Sequence, residues 1–417
     1  MSRGTGSGDS ILRQPKAVWA VAFACVVAFM GIGLVDPILP AIAADLQATP
    51  TETEFLFTSY LVITGIAMFF TSWVSSRIGA KKTLLIGLAV IVVFATAAGL
   101  SGDVESIIGF RAGWGLGNAL FISTALATIV GAASGGTSSA IILYEAALGL
   151  GLAIGPLLGG VLGSWSWRGP FFGTAILMAV GFIAISTLLR TSIGQERSAR
   201  TALSAPFRAL ARPALAILAT TAVFYNFGFF VLLAYTPFAL VPLGISSAIS
   251  LGLVFFGWGV AVAVSSVWLA PVLTGRMPRT RVMWLILPLL AVDMIAIAVF
   301  IHSAIGIIVG VVVGGLLLGI MNTVLTESVM EATDLPRSVA SSAYSGVRFL
   351  GGAVAPPLAS VLAANIAESA PFIAGAMAFA VAVLILIAGR SRLRAVDGEH
   401  ALDAAEVAEA VLVGDAA

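Results

Sequence analysis

Six ionisable side chains interrupt otherwise apolar stretches of the chain: Asp36, Arg111, Glu145, Asp293, Glu327 and Arg348. In lipid each such charge costs roughly 2.5–3.5 kcal/mol on insertion scales, so each marks a pairing or a function. Acids and arginines held away from water suit proton exchange. A carboxylate beside an arginine stays ionised, and one whose arginine is displaced in a dry site takes up a proton. A proton gained at one step and released at another can be traded against a cargo. Other chemistries lack their parts. Cys25 is the one cysteine, and His302 and His400 lie far apart. No disulfide framework and no Cys- or His-based metal site is expected. No G-x-x-x-x-G-K-[ST] loop is present to cradle phosphates. No paired acids or His–acid pair mark a membrane enzyme's catalytic centre, and no cofactor is expected.

The elements that position these charges follow from composition. The 417 residues are 59% hydrophobic and 10% charged, with mean hydropathy +1.08. Soluble chains carry about 25% charged residues, so a large soluble enzyme, a disordered chain and a nucleic-acid binder are excluded. A span needs about 20 mostly apolar residues. Twelve such runs are read at 17–40, 55–76, 83–102, 106–130, 139–164, 169–189, 213–240, 247–271, 282–301, 303–329, 338–365 and 369–389. The block from Pro213 to Gly275 carries no charge and is expected to split at Pro237 and Pro242-Leu-Gly244. The runs do not alternate apolar and polar residues, so barrel strands fit poorly. Arg3, Arg13 and Lys16 before the first run resemble the start of a signal peptide, but the run is long and eleven more follow, so it is read as a retained helix. The domains expected are a terminus 1–16, a six-helix bundle 17–189, a central loop 190–212, a second bundle 213–390 and a tail 391–417, the tail either a surface helix or disordered.

Lys and Arg set the orientation. The N-terminus, loop 2–3 (Arg77, Lys81, Lys82), the central loop (Arg190, Arg197, Arg200, Arg208, Arg212), loop 8–9 (Arg276, Arg279, Arg281), Arg337 and the tail (Arg390, Arg392, Arg394) all fall on one side. Arg168 stands alone on the other. The arginine-rich side, with both termini, is expected to be cytoplasmic. Arginine outnumbers lysine 18 to 3 and alanine is abundant, a compositional hint of a GC-rich bacterial genome and hence an inner membrane.

The chain reads as a duplication. A shift of 200 brings Asp36-Pro37 onto Thr236-Pro237, Gly151 onto Gly351 and Gly155-Pro156 onto Ala355-Pro356. Nearby offsets bring Arg77 onto Arg276 and Gly117-Asn118 close to Met321-Asn322. Six-helix repeats of equal orientation imply two bundles related by an axis along the membrane normal, with a site between them near mid-membrane.

The fifth run contains Gly149-Leu-Gly151-Leu-Ala-Ile-Gly155-Pro156-Leu-Leu-Gly159-Gly160. Glycines at this spacing flatten a helix face, and Pro156 removes a backbone donor. Loop 2–3 has Ser72, Ser76, Arg77, Gly79, Ala80 and Lys81. The fourth run has Arg111-Ala-Gly-Trp114-Gly115-Leu-Gly117-Asn118 and the first has Gly31-Ile-Gly33-Leu-Val-Asp36-Pro37. Over nearly its whole length the sequence resembles the major facilitator superfamily, and more narrowly its twelve-helix drug/proton antiporters. Gly149, Gly151, Gly155, Pro156, Gly159 and Gly160 match the antiporter pattern G-x-G-x-x-x-G-P-x-x-G-G at each fixed position. Loop 2–3 departs from G-x-x-x-D-R-x-G-R-K: Ser72 replaces the glycine, Ser76 the aspartate and Ala80 the first basic residue, while Arg77, Gly79 and Lys81 remain. Trp114 stands where a glutamine is usual.

The resemblance implies an all-α membrane protein of two parallel six-helix repeats, with helices 1 and 4 lining a central cavity. Asp36 and Arg111 match in depth and are expected to pair, Asp36 as proton carrier; a static ion pair fixing the two helices is the plain alternative. Glu145, one to two turns into helix 5, would take a proton or a cationic cargo, or simply reach interfacial water. Substrate contacts are expected from Phe29, Asn118, Tyr225, Asn226, Tyr235, Phe256, Asn322 and Arg348, because aromatic walls with few polar groups suit lipophilic cations. Aromatics facing only lipid are the bland alternative. Arg348 is expected beside Asn322, with Glu327 a second possible partner; Asp293 has no evident role. Arg77, Gly79, Lys81 and the glycines of helix 5 are expected to gate, against plain anchoring and packing. The function implied is proton-driven efflux of lipophilic or cationic small molecules by alternating access, in a monomer with no nucleic-acid partner. Proton-coupled transport of a defined metabolite, a sugar or amino-acid derivative, is the other reading.

Overall fold

The computed structural model describes residues 14–35, 38–134, 136–189, 201–393 and 396. Among them are twelve helices long and apolar enough to cross a membrane: α1 Lys16–Gly33, α2 Phe55–Ile78, α3 Ala80–Leu100, α4 Val104–Ala132, α5 Gly136–Gly163, α6 Gly169–Leu188, α7 Pro213–Leu243, α8 Ile249–Thr274, α9 Arg279–Val299, α10 Ala304–Glu331, α11 Arg337–Asn365 and α12 Ala370–Arg392. The all-helical, twelve-span architecture expected from hydropathy is present. Lipid offers no hydrogen bonds, so a spanning segment must satisfy its backbone internally, and an apolar run of this length does so as a helix.

Local chemistry sets the ends. The helix of α2 starts at Pro50, ahead of its apolar run, because Thr49 and Glu52 form a reciprocal capping box. The Thr49 backbone N–H, and then its hydroxyl, hold the exposed Glu52 carboxyl below its usual range. Asp103 caps α4 by accepting from the Ser106 N–H at 2.8 Å. Gly79 joins α2 to α3 at φ 86°, a left-handed conformation that favours glycine. The expected split between α7 and α8 is corrected in one respect. Pro237 lies inside a continuous helix, and the break falls at Val241–Leu243 and at Gly244, φ 87°. The first span is also shorter than expected. α1 ends at Gly33, and a separate short helix, Leu39–Leu46, follows. Asp36 and Pro37, like residues 1–13, 190–200 and 397–417, lie outside the described residues.

The packing repeats itself. α1 packs on α5 and α6, α2 on α4, and α3 on α4 and α6. Six helices later, α7 packs on α11 and α12, α8 on α10, and α9 on α10 and α12. Small residues make these approaches possible: a methyl group on Gly87 of α3 would sit 2.8 Å from the Gly117 carbonyl oxygen of α4. Leu100, Ile176, Val292 and Leu384 are exposed, as apolar side chains on outer helices facing lipid would be. The halves meet along two seams, α5 on α8 and α2 on α11. At the second seam Gly65 takes Leu350 and Gly346 takes Phe69.

The repeats differ at helices 5 and 11. α5 runs unbroken through Pro156. α11 breaks at Val354 into Arg337–Ala353 and Ala355–Asn365, where Pro356 and Pro357 together remove two backbone donors.

Candidate functional site: a polar cluster between the halves

The glycine-rich face of α5 serves two contacts. Gly151, Gly155 and Gly159 face α1: added methyl groups would sit 2.5 Å from the Val26 carbonyl oxygen, 2.6 Å from that of Met30, and against that of Leu34. Gly149 faces the seam, 2.9 Å from the Ala263 nitrogen of α8 by the same measure. Ala153 and Leu157 meet Gly259 and Gly252 of α8. Three of the motif glycines therefore pack helices within one half, and only part of the motif lies where the halves meet. The Pro156 ring wedges against Gly33, at the end of α1. Gly160 is buried.

Glu145 lies on the same helix, fully buried. Its Oε1 accepts from the Thr326 hydroxyl of α10 at 2.8 Å and stands 3.7 Å from Arg348 Nη1 of α11. Both partners belong to the other half. Arg348 donates through Nε to Asn226 Oδ1 at 3.1 Å and through Nη2 to Asn322 Oδ1 at 2.9 Å. Asn226 is braced on the Ala222 carbonyl of its own helix. The Tyr225 hydroxyl lies 3.0 Å from both Asn322 Oδ1 and the Leu318 carbonyl. Among the described residues, Glu145 Oε2 and Asn322 Nδ2 have no hydrogen-bond partner. A buried carboxylate oxygen left unsatisfied is a place to receive a proton or a cation.

At this cluster the two halves enclose a cavity of about 20 Å³, lined by Phe29, Tyr144, Asn226, Phe229, Phe230 and Arg348 among others. That holds about one water. The Phe29 and Tyr144 rings meet edge to face at 5.5 Å, and Phe229 meets Trp258 at 5.6 Å. The halves must part before a drug-sized molecule can enter.

The other expected residues divide. Phe29, Asn226 and Arg348 reach this cavity, and Tyr225 and Asn322 support it from behind. Tyr235 does not reach it: its ring packs on Phe372 and its hydroxyl donates to the Glu368 carbonyl. Phe256 is 40% exposed and lies outside the lining. Asn118 is fully buried, and neither amide atom has a partner among the described residues. Arg111 is also fully buried. Its guanidinium lies 4.4 Å from the Tyr60 ring and 4.7 Å from the Trp114 ring, and it donates to the carbonyls of Leu56 and Gly31. The pairing with Asp36 lies outside the described residues. Glu327 is not beside Arg348 but pairs with Arg279 at 3.3 Å. Asp293 is buried against Gly310 and Gly314 of α10. Sequence reasoning missed Thr326, missed Tyr344, whose ring lies 6.0 Å from the Arg348 guanidinium, and missed Ser345 and Phe349, which line the cavity. Tyr344 had a signal, one helical turn before Arg348 and on its face; the Thr326 contact had none.

The comparisons agree with this architecture. The family model described as Major Facilitator Superfamily matches residues 21–356. The Multidrug efflux protein YfmO of Bacillus subtilis (strain 168) is 49% identical over 390 residues, covering 94% of this chain and 97% of that protein. The Tetracenomycin C resistance and export protein of Streptomyces glaucescens is 31% identical over 173 residues, 40% of this chain and 32% of that protein. The crystal structure of the human organic anion transporter MFSD10 (TETRAN) superimposes with TM-score 0.75 at 16% identity, covering 89% of this chain and 99% of that one. With repeated six-helix halves, a central crevice and a family match over most of its length, the chain belongs to the major facilitator superfamily, a family of membrane transporters rather than enzymes.

Proposed function

We propose that the protein exports lipophilic, cationic small molecules across a bacterial inner membrane in exchange for protons, as a monomer with its arginine-rich end in the cytoplasm. The observation that carries this reading is the Glu145–Arg348 pair, which joins the two halves beside a small, largely aromatic and apolar cavity that Arg348 lines. The similarity to YfmO, named a multidrug efflux protein, supports the cargo class.

The pair supplies a simple exchange. With Glu145 ionised, its attraction to Arg348 and Thr326 draws the halves together at this depth. A proton arriving from outside removes the charge and loosens the contact. Once the halves part towards the cytoplasm, the proton leaves and a cation takes its place beside the carboxylate, held by aromatic faces. Return of Arg348 to Glu145 then displaces the cation outward. Proton and cargo compete for one carboxylate, which is what exchange requires. Asp36, with Arg111, is a second carboxylate proposed for the same coupling on the strength of the sequence.

Reconstituted vesicles with an imposed pH gradient test this. Wild-type protein is expected to move a cationic dye against its gradient, with Glu145→Gln and Asp36→Asn losing that dependence. Wild-type transport that ignores the pH gradient would refute proton exchange. A Glu145→Gln variant with unchanged dependence would remove Glu145 from the coupling.

A further inference from the structure

Among the described residues, the contacts of Ser76, Arg77 and Lys81 in loop 2–3 stay within their own half and the linker. Ser76, standing where the resembled pattern has an aspartate, donates to the Trp73 carbonyl at 2.9 Å and accepts the Thr201 N–H of the linker at 3.1 Å. Arg77 lies 4.1 Å over the Trp73 ring of its own helix. Lys81 donates to the Ser186 carbonyl of the same half at 2.8 Å. The arginine-rich end is nevertheless closed, and the closing contacts lie elsewhere.

They gather at the turn between α4 and α5. Arg337, the first residue of α11, donates through Nη1 to the Val130 carbonyl at 2.8 Å and through Nη2 to the Thr137 hydroxyl at 3.2 Å. Val130 lies in the last turn of α4, where carbonyls lack intrahelical partners and the helix end carries partial negative charge. Beyond the turn, Ser138 in the first turn of α5 donates to Glu327 Oε1 of α10 at 2.6 Å. That helix end carries partial positive charge and faces a carboxylate. Arg279 holds Glu327 at 3.3 Å and Glu331 at 2.8 Å. The turn itself is pinned by Gln14, which bonds the Ser134 carbonyl at 2.7 Å and its N–H at 2.8 Å. A cation of the second half thus meets the negative end of α4, and an anion meets the positive end of α5. One layer deeper, Ser341 donates to the Ser123 carbonyl at 2.9 Å, and the Ser123 and Ser342 hydroxyls lie 3.3 Å apart.

We propose that Arg337 and Glu327 are the positioning residues of transport that latch the arginine-rich end shut. The proposal deepens the alternating-access reading and rests on it. Opening of this end breaks both charge contacts with the ends of α4 and α5, so their strength sets how often the crevice faces that side.

The Ser123/Ser342 contact provides the gauge. Full-length protein carrying Cys25→Ser, Ser123→Cys and Ser342→Cys is reconstituted, and the initial rate of disulfide formation under a mild oxidant is measured. Oxidation is expected to stop dye transport and reduction to restore it. Adding Arg337→Ala is expected to slow cross-linking about tenfold, by lowering the population of the closed form. Glu327→Gln and Arg337→Lys are expected to slow it several-fold; they keep the test open if the alanine variant folds poorly. Arg281→Ala, an exposed arginine at the same end, is expected to change nothing. A second readout is alkylation of Ser345→Cys in the Cys25→Ser background by an impermeant maleimide applied to the arginine-rich face, expected to speed up in Arg337→Ala. Melting temperature and residual transport exclude general loosening as the cause. Cross-linking in folded Arg337 and Glu327 variants at the parent rate would overturn the latch while leaving efflux intact. Loss of proton-driven transport in the unmutated protein would overturn the efflux reading and leave the cross-linking ratio to decide the latch separately.

Discussion

Arg348 and Glu145 face each other across the boundary between the two six-helix halves, with Nη1 3.7 Å from Oε1, and both side chains are more than nine-tenths buried. Removing one charge from such a pair strands the other, at a cost of about 3–5 kcal/mol. Arg348→Gln alone is therefore expected to lower the melting temperature sharply. Arg348→Gln with Glu145→Gln is expected to recover most of the loss, because neither charge is left bare. The double variant should still lack pH-driven transport. Thermal melts of the two singles and the double form the cycle, and a double variant as unstable as Arg348→Gln would mean that the pair is not coupled.

Gly155 tolerates no larger residue in the observed packing, since even a methyl group would meet the Met30 carbonyl oxygen at 2.6 Å. A backbone oxygen cannot swing aside as a side chain can. Gly155→Val is expected to cost about 1–3 kcal/mol and to abolish transport by pushing α5 off α1. Gly131, in the last turns of α4, has open space around its Cβ position, so Gly131→Ala should leave both melting and dye efflux close to wild type. Equal effects at the two sites would contradict the packing described.

Arg111 is fixed by two aromatic faces and two carbonyls at once. Lysine keeps the charge but has no planar fork to serve both carbonyls while lying over two rings. Arg111→Lys is expected to lose most transport and several degrees of melting temperature. Trp114→Phe, which keeps an aromatic face, should be milder than Trp114→Leu, with a difference of about 0.5–2 kcal/mol. If Trp114→Leu melts like Trp114→Phe, the ring is not holding the cation.

Asp103 caps α4 outside the apolar span. The Ser106 backbone N–H, and then its hydroxyl, hold the Asp103 carboxyl below its usual range. A carboxyl whose folded value is depressed stabilises the fold above its unfolded value, about 3.9, and loses that contribution as the pH falls through the lower folded value. Asp103→Ala should therefore melt below wild type at neutral pH, and the gap should close on acidification below about pH 3. A gap of constant size across that range would exclude the carboxylate as its source.

The apolar runs in the sequence were enough to determine twelve helices and their alternation, because lipid leaves a backbone no other way to satisfy itself. The repeat was legible too, in the glycines and prolines that recur 200 residues apart and in the packing order that α7–α12 share with α1–α6. The small set of buried charges was plain from residue type alone. Their partners were not. Arg348 could be set near Asn322 by counting turns within adjacent helices. Nothing in residue spacing placed Glu145 and Thr326 beside it, since those contacts cross between halves. The same holds for Arg337 on the end of α4 and Ser138 on Glu327. The rotation of each helix about its axis decides such meetings, and that rotation is set by close packing, of Gly155 on Met30 and of Gly259 on Ala153, which only the folded chain contains.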